Sequence, residues 1–271
     1  MSKSYKIVVL DLDGTLTNTQ KELSARNREV LIEAQKRGTK VVLASGRPTY
    51  GIVPLAKELE LDKFGGYILA YNGGSIIDCS TQETIYNKVL PDELLPQLYK
   101  YAKDHSFAIL SYDNEVVVTE HPNDKYVEYE SFLTKMEVRG VDNFLESVSR
   151  PVPKCLIVGD AEPLALLETK MQSEIGDLMN IYRSEAFFLE LVPLNIDKAE
   201  SLARLLNHIG INKEEMIAVG DGYNDLSMIQ FAGMGIAMEN AKPEVKEAAD
   251  FITSSNDEDG VAAVIEKFIL N

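Results

Sequence analysis

The chain has 271 residues, 45% hydrophobic and 26% charged, with 27 Lys plus Arg against 43 Asp plus Glu and a formal net charge of -16. That length suits about two domains, and that composition suits a packed globular protein, not a disordered one. So acidic a chain is a poor partner for nucleic acid, whose binding is cation-driven, and for an anionic membrane surface.

The first apolar β-branched run, 6–10 (KIVVL), predicts a buried strand. Residues 22–37 carry apolar side chains at Leu23, Val30, Leu31 and Ala34 at helical spacing, and Gly38 follows as a stop. Residues 40–44 (KVVLA) and 67–71 (YILAY) predict two more strands. In the middle, strand-like runs at 83–89, 108–110, 115–119, 155–158, 180–182 and 187–191 are interspersed with helical patterns at 92–104, 123–135 and 162–175. Asp113-Asn114 marks a hairpin turn between two of them. Strands return at 216–219, 235–238 and 251–253, with helical segments at 225–231 and 243–249 between them. Strand–helix alternation at both ends implies an α/β fold, a Rossmann-like doubly wound parallel-sheet core. The less regular middle implies an inserted mixed α/β domain. The expected partition is 1–82 with 193–271 for the core and 83–192 for the insertion.

Cys79 and Cys155 form neither a metal-ligand spacing nor a disulfide framework, and they suit buried free thiols in a reduced compartment. His105, His121 and His208 lie far apart, which argues against a His-built metal cluster. The N-terminus carries only a short apolar run before Asp11, so no leader peptide is expected. The longest uncharged stretch, 64–77, has 14 residues, short of the 18 or so that suggest a spanning helix. The expected setting is the cytoplasm, with no membrane, nucleic acid or obligate protein partner.

Four segments that follow predicted strands carry the chemistry. In Asp11-Leu12-Asp13-Gly14 the alternation of an extended chain puts both carboxylates on one side, at the carboxyl end of a buried strand. Two such charges about 4 Å apart repel by roughly 4 kcal/mol at an effective dielectric of about 20, so the pair calls for a counter-charge. An EF-hand loop is excluded, because its required glycine would fall on Leu16. Gly220-Asp221-Gly222-Tyr223-Asn224-Asp225 superficially suggests a dinucleotide fingerprint, but Asp225 takes the third glycine position and Asp221 would oppose a pyrophosphate. Asp221 and Asp225 are instead hard oxygen donors of the kind Mg²⁺ takes. Ala44-Ser45-Gly46-Arg47 offers a hydroxyl and a glycine N–H at a helix start, suited to phosphate or to a plain helix cap. Lys198 opens a helix after the run FFLELV, from where its ammonium could reach the same sheet edge or simply face water. Carboxylates, a metal site, a hydroxyl and a cation together are the parts of phosphoryl transfer.

In their order, spacing and strand context these segments resemble the haloacid dehalogenase-like hydrolases, and among them the Cof-like sugar-phosphate phosphatases. DLDGTL at 11–16, ASGR at 44–47, Lys198 and GDGYND at 220–225 match the four family motifs in turn. The likeness continues through Asn72-Gly73-Gly74 and the tail at 233–263; Ala199 stands where the subfamily usually has glycine. The resemblance implies that Asp11 attacks phosphorus and becomes an aspartyl-phosphate, and that Asp13 protonates the leaving oxygen and then activates water. It implies Mg²⁺ on Asp11, the Asp13 main-chain carbonyl and Asp221, with Asp225 as a ligand or one layer out. Ser45, Gly46, Lys198 and Asn224 would hold phosphoryl oxygens. Arg47 and Asn72 are candidate substrate contacts, against a surface ion pair and a turn residue. The insertion would be a cap that closes over the site and selects the leaving group. The implied substrate is a small phosphomonoester: a sugar phosphate first, with flavin mononucleotide or pyridoxal phosphate behind it. A phosphomutase and a catalytically silent phosphate-binding regulator are the alternatives.

Overall fold

A computed structural model describes residues 5–271; residues 1–4, part of the stretch read for a leader, lie outside it. The strands are, in chain order, β1 (Ile7–Leu10), β2 (Lys40–Ala44), β3 (Tyr67–Ala70), β4 (Ser75–Asp78), β5 (Thr84–Asn87), β6 (Ala108–Asp113), β7 (Val116–Thr119), β8 (Glu137–Gly140), β9 (Cys155–Val158), β10 (Met179–Glu185), β11 (Phe188–Pro193), β12 (Met216–Gly220), β13 (Met234–Ala237) and β14 (Phe251–Ile252). The chain divides into two compact units, Met1–Tyr86 with Asp197–Asn271, and Asn87–Ile196. These breaks fall four residues later at each end than the 82/83 and 192/193 expected from sequence.

The first unit is built on an eight-stranded sheet among the described residues, ordered β14-β13-β12-β1-β2-β3-β4-β5. From β14 to β3 every neighbouring pair is parallel, and β4 returns antiparallel to β3. β1 lies at the centre, where the chain leaves for β2 on one side and arrives from the far end as β12 on the other. The four residues of β1 are wholly buried and alternate between two cores. Val8 and Leu10 pack on one face with Leu31, Ala34 and Ile52, from helices Ala25–Lys36 and Thr49–Glu58. Ile7 and Val9 pack on the other with Leu202, Leu205 and Met228. Burial on both faces is why β1, β12 and residues 41–44 of β2 read as unbroken apolar runs.

Helix Ala25–Lys36 starts three residues later than its periodicity suggests, because Ser24 caps it by accepting the Asn27 N–H at 3.0 Å. Helix Thr49–Glu58 has no counterpart among the elements expected from sequence, because Gly51 and Pro54 interrupt its helical signature. The run 83–89, read as the first strand of the insertion, supplies β5 at the edge of this sheet instead.

The second unit carries a six-stranded sheet among the described residues, ordered β10-β11-β9-β6-β7-β8. β6 and β7 form the antiparallel hairpin, while β7 and β8 are parallel and joined through helix Lys125–Thr134. Helices Leu95–Asp104 and Ala161–Ile175 bury Leu98, Leu164, Leu167 and Met171 in one core with Ile109, Ile157 and Leu189. Among the described residues no helix is long and apolar enough to cross a membrane.

Candidate active site

The carboxyl ends of β1, β2 and β12 deliver Asp11, Ser45 and Asp221 to adjacent positions on one sheet edge. This is the edge at which open α/β sheets bind ligands, and the strand order reverses there. Asp197 accepts the N–H groups of Ala199 and Glu200 at 2.9 and 3.1 Å, which starts helix Lys198–Ile209 with its first side chain turned to the same place.

Lys198 is fully buried. Its Nζ donates to Oδ1 of Asp11 at 2.7 Å, to Oδ1 of Asp225 at 2.6 Å and to the Ala44 carbonyl at 2.9 Å. Its three N–H bonds therefore tie together the end of β2 and the segments that follow β1 and β12. Burial alone would lower the lysine pKa, but the two carboxylates outweigh it and raise it. Asp225 is also fully buried, and its Oδ2 accepts the backbone N–H groups of Asp221 and Gly222 at 3.0 and 2.9 Å. Thus Asp225 shapes the loop that carries Asp221. Carboxylate oxygens of Asp11, Asp221 and Asp225 all lie within 4.8 Å of one another.

Three acids meet one ammonium here. Burial first, then Asp225, raise the Asp11 pKa well above the carboxylate range despite Lys198. Burial, with Asp225 adding to it, pushes Asp221 up to about 6 against the pull of the Thr15 hydroxyl, which donates to Asp221 at 2.7 Å. A hard-oxygen cluster left short of positive charge fits a divalent cation.

Asp13 is held differently. Arg47 forks onto it, Nε to Oδ2 and Nη2 to Oδ1, both at 2.7 Å, and the Lys21 ammonium approaches Oδ1 at 2.8 Å. Burial pushes its pKa upward, but the two cations outweigh it and hold Asp13 below the ordinary value. Arg47 is accordingly neither a surface ion pair nor free, since its side chain is 11% exposed.

Ser45 is buried, and its hydroxyl accepts the Arg47 N–H at 3.1 Å. Asn72 sits in a turn where Tyr71, Asn72 and Gly73 all have positive φ (53°, 54° and 103°), a region that glycine adopts freely and asparagine tolerates but tyrosine enters only under strain. That turn brings the Asn72 carboxamide against Gly46, and Asn224 donates to its Oδ1 at 3.1 Å. All ten residues singled out from sequence therefore fall into three linked groups: Asp11, Lys198, Asp225 and Asp221; Asp13 and Arg47; Ser45, Gly46, Asn72 and Asn224. Sequence reasoning passed over Thr15 and Lys21. Thr15 lies inside a motif already quoted, whereas Lys21 lies in a polar stretch without periodicity and gave no signal.

The charge imbalance has a measurable consequence. A carboxyl raised in the folded state binds its proton more tightly there than in the unfolded chain. Its contribution is then present below about pH 4 and lost as pH rises through about 6. In metal-free protein, Asp221→Asn should therefore be more stable than the parent at pH 8, on the order of 2 kcal/mol. The gap should close below pH 4. Thermal unfolding in EDTA at the two pH values reads this, and an equal gap at both contradicts the assignment.

A family described as haloacid dehalogenase-like hydrolase matches residues 8–265. YxeH of Bacillus subtilis is 33% identical over 269 residues, covering 98% of this chain and 99% of that one. The 5-amino-6-(5-phospho-D-ribitylamino)uracil phosphatase YcsE of Bacillus subtilis is 30% identical over 266 residues, covering 98% and 96%. A crystal structure of a haloacid dehalogenase-like hydrolase from Bacteroides thetaiotaomicron is 57% identical and superposes with a TM-score of 0.96 over 97% of this chain and 99% of that one. With its sheet edge and its motifs in the same chain order, the protein belongs to the haloacid dehalogenase-like hydrolase family.

Proposed function

We propose that this hydrolase is a Mg²⁺-dependent phosphatase of small soluble phosphomonoesters, sugar phosphates foremost, working through an aspartyl-phosphate on Asp11. The observation that carries the reading is the buried junction in which Lys198 spans Asp11 and Asp225 while Asp221 lies alongside. The Asp11 carboxylate attacks phosphorus, and the ester oxygen departs with a proton from Asp13. Asp13 then takes a proton from water as that water attacks the aspartyl-phosphate, which frees phosphate and restores Asp11. Splitting one slow displacement into two is nucleophilic catalysis, and the Asp13 role is acid followed by base.

The Asp11 carboxylate, the Asp13 main-chain carbonyl and Asp221 would hold Mg²⁺. When bound, the ion screens these acids from one another and from the phosphate dianion. Asp225 is assigned one layer out, since its oxygens already hold Lys198 and two backbone N–H groups. Ser45, Gly46, Lys198 and Asn224 are assigned to phosphoryl oxygens, with Asn72 and Arg47 facing the rest of the substrate. Asp13 rests as an anion under the Arg47 fork, so its acid role requires Arg47 to let go. Selection among leaving groups is assigned to the inserted unit. The free thiols Cys79 and Cys155 are both buried, with pKa pushed up to about 12, and suit a reduced, cytoplasmic setting.

EDTA should silence the enzyme and Mg²⁺ restore it, read as inorganic phosphate release over a panel of esters. The panel holds sugar phosphates, flavin mononucleotide, pyridoxal phosphate and 5-amino-6-(5-phospho-D-ribitylamino)uracil, the compound in the YcsE name. Isomerised ester in place of free phosphate would establish a mutase. No release from any ester with Mg²⁺ present would leave a binding protein.

A further inference from the structure

The tail at 233–263 carries a sequence likeness to the subfamily but no part of the chemistry above. Its side chains nonetheless grip the loop that follows the nucleophile, in matching order. Asn240 Nδ2 donates to the Gly14 carbonyl at 2.7 Å, and Asn256 Nδ2 donates to the Thr17 carbonyl at 3.0 Å. The two asparagines are joined, because the Asn256 N–H donates to Asn240 Oδ1 at 3.0 Å. Further along, Asp257 accepts from both the N–H and the hydroxyl of Thr19, at 2.8 and 2.6 Å, and Asp259 accepts from the Ser24 hydroxyl at 2.5 Å.

The gripped loop meets Asp13 from two directions. The peptide that follows Asp13 runs into Gly14, whose φ of +86° places it where any Cβ would collide with the Asp221 carboxylate. The next residue, Thr15, bonds Asp221 directly. The Gly14–Thr15 peptide is thus pinned by Asp221 on the site side and by Asn240 behind. The same loop also delivers Lys21 to the Asp13 carboxylate.

We infer that Asn240, braced by Asn256, is a positioning residue: it fixes the backbone behind Asp13 and so the carboxylate that serves the leaving oxygen. The inference rests on the acid role given to Asp13 above. Asn240 itself is exposed, so loss of its two hydrogen bonds, to the Gly14 carbonyl and from the Asn256 N–H, should cost the fold little, on the general scale of solvent-accessible bonds.

Leaving-group chemistry separates positioning from structure. An alkyl phosphate needs a proton on its departing oxygen, whereas p-nitrophenyl phosphate releases a stable phenolate and does not. kcat/KM reports the phosphoryl-transfer step in both cases. Asn240→Ala should lose at least about tenfold in kcat/KM on a hexose phosphate and less than about threefold on p-nitrophenyl phosphate, the scale expected of a misplaced acid. Asn240→Asp, which turns a carboxylate toward the Gly14 carbonyl, should show the same split or a larger one. The melting temperature should stay close to the parent's. Equal losses on both esters, or none on either, would overturn the inference. Asp13→Asn is the control: a large split there with none in the Asn240 variants refutes the positioning role alone. No split in Asp13→Asn refutes the acid role on which it depends.

Discussion

Asp11→Asn should abolish phosphate release, with kcat falling by at least about 10³- to 10⁴-fold, while the protein stays folded. A carboxamide can accept the Lys198 hydrogen bond as the carboxylate does at 2.7 Å, but it cannot form an acyl phosphate. The substitution also removes a buried acid whose pKa is raised well above the ordinary range, chiefly by desolvation. In EDTA at neutral pH the variant should therefore melt no lower than the parent. Phosphate release and thermal melting on the same preparations check both halves. Activity comparable to the parent would end the nucleophile assignment.

Lys198→Met should be the most damaging single change to the fold at this edge. The ammonium is fully buried and is the shared partner of Asp11 and Asp225, so removing it leaves two carboxylates facing each other in a dry interior. Breaking a buried pair from one side costs about 3–5 kcal/mol, which for a chain of this size is on the order of 10 °C in Tm. Turnover should fall together with stability, since the same ammonium is assigned to the phosphoryl oxygens. The sign of the pH dependence follows from the acids. Asp11 already binds its proton more tightly in the folded state than in the unfolded chain, and loss of Lys198 removes the charge that opposes this. The deficit should therefore be greatest near pH 8 and shrink as pH falls toward 5. Melting curves of variant and parent across that range would show it; a pH-independent difference below about 1 kcal/mol would contradict the junction as described.

Much of this edge is legible in the sequence because one physical rule creates both signals. Strands buried on both faces must be apolar throughout, so β1, β2 and β12 stand out, and the first polar residues after them fall at the carboxyl ends. Asp11, Ser45 and Asp221 are the first residues after those three strands, which is why they are legible. Elements that break the rule were lost. β4 is four residues long and follows two glycines, and β8 is an exposed, polar edge strand. The Thr49–Glu58 helix hides behind its proline. Side-chain pairing is less legible still, because partners are set by tertiary approach. Nothing near Arg47 in sequence announces that it forks onto Asp13, 34 residues away. Nothing at Asn240 announces a carbonyl 226 residues earlier.

The place of β1 between β2 and β12 has a consequence for how the protein is made. β2 is synthesised soon after β1 and can pair with it early, Ile7 to Lys40 and Leu10 to Leu43. The other edge of β1 pairs with Met216–Val219, residues that leave the ribosome only after the whole second unit. Because domains fold as units during synthesis, that unit can be complete before the strand that closes the first one arrives. The nascent chain thus carries Asp11 from the start but lacks Asp221, Asp225 and Asn240 until its last quarter is made. The sheet edge that gathers these carboxylates is therefore completed only when β12 pairs with β1.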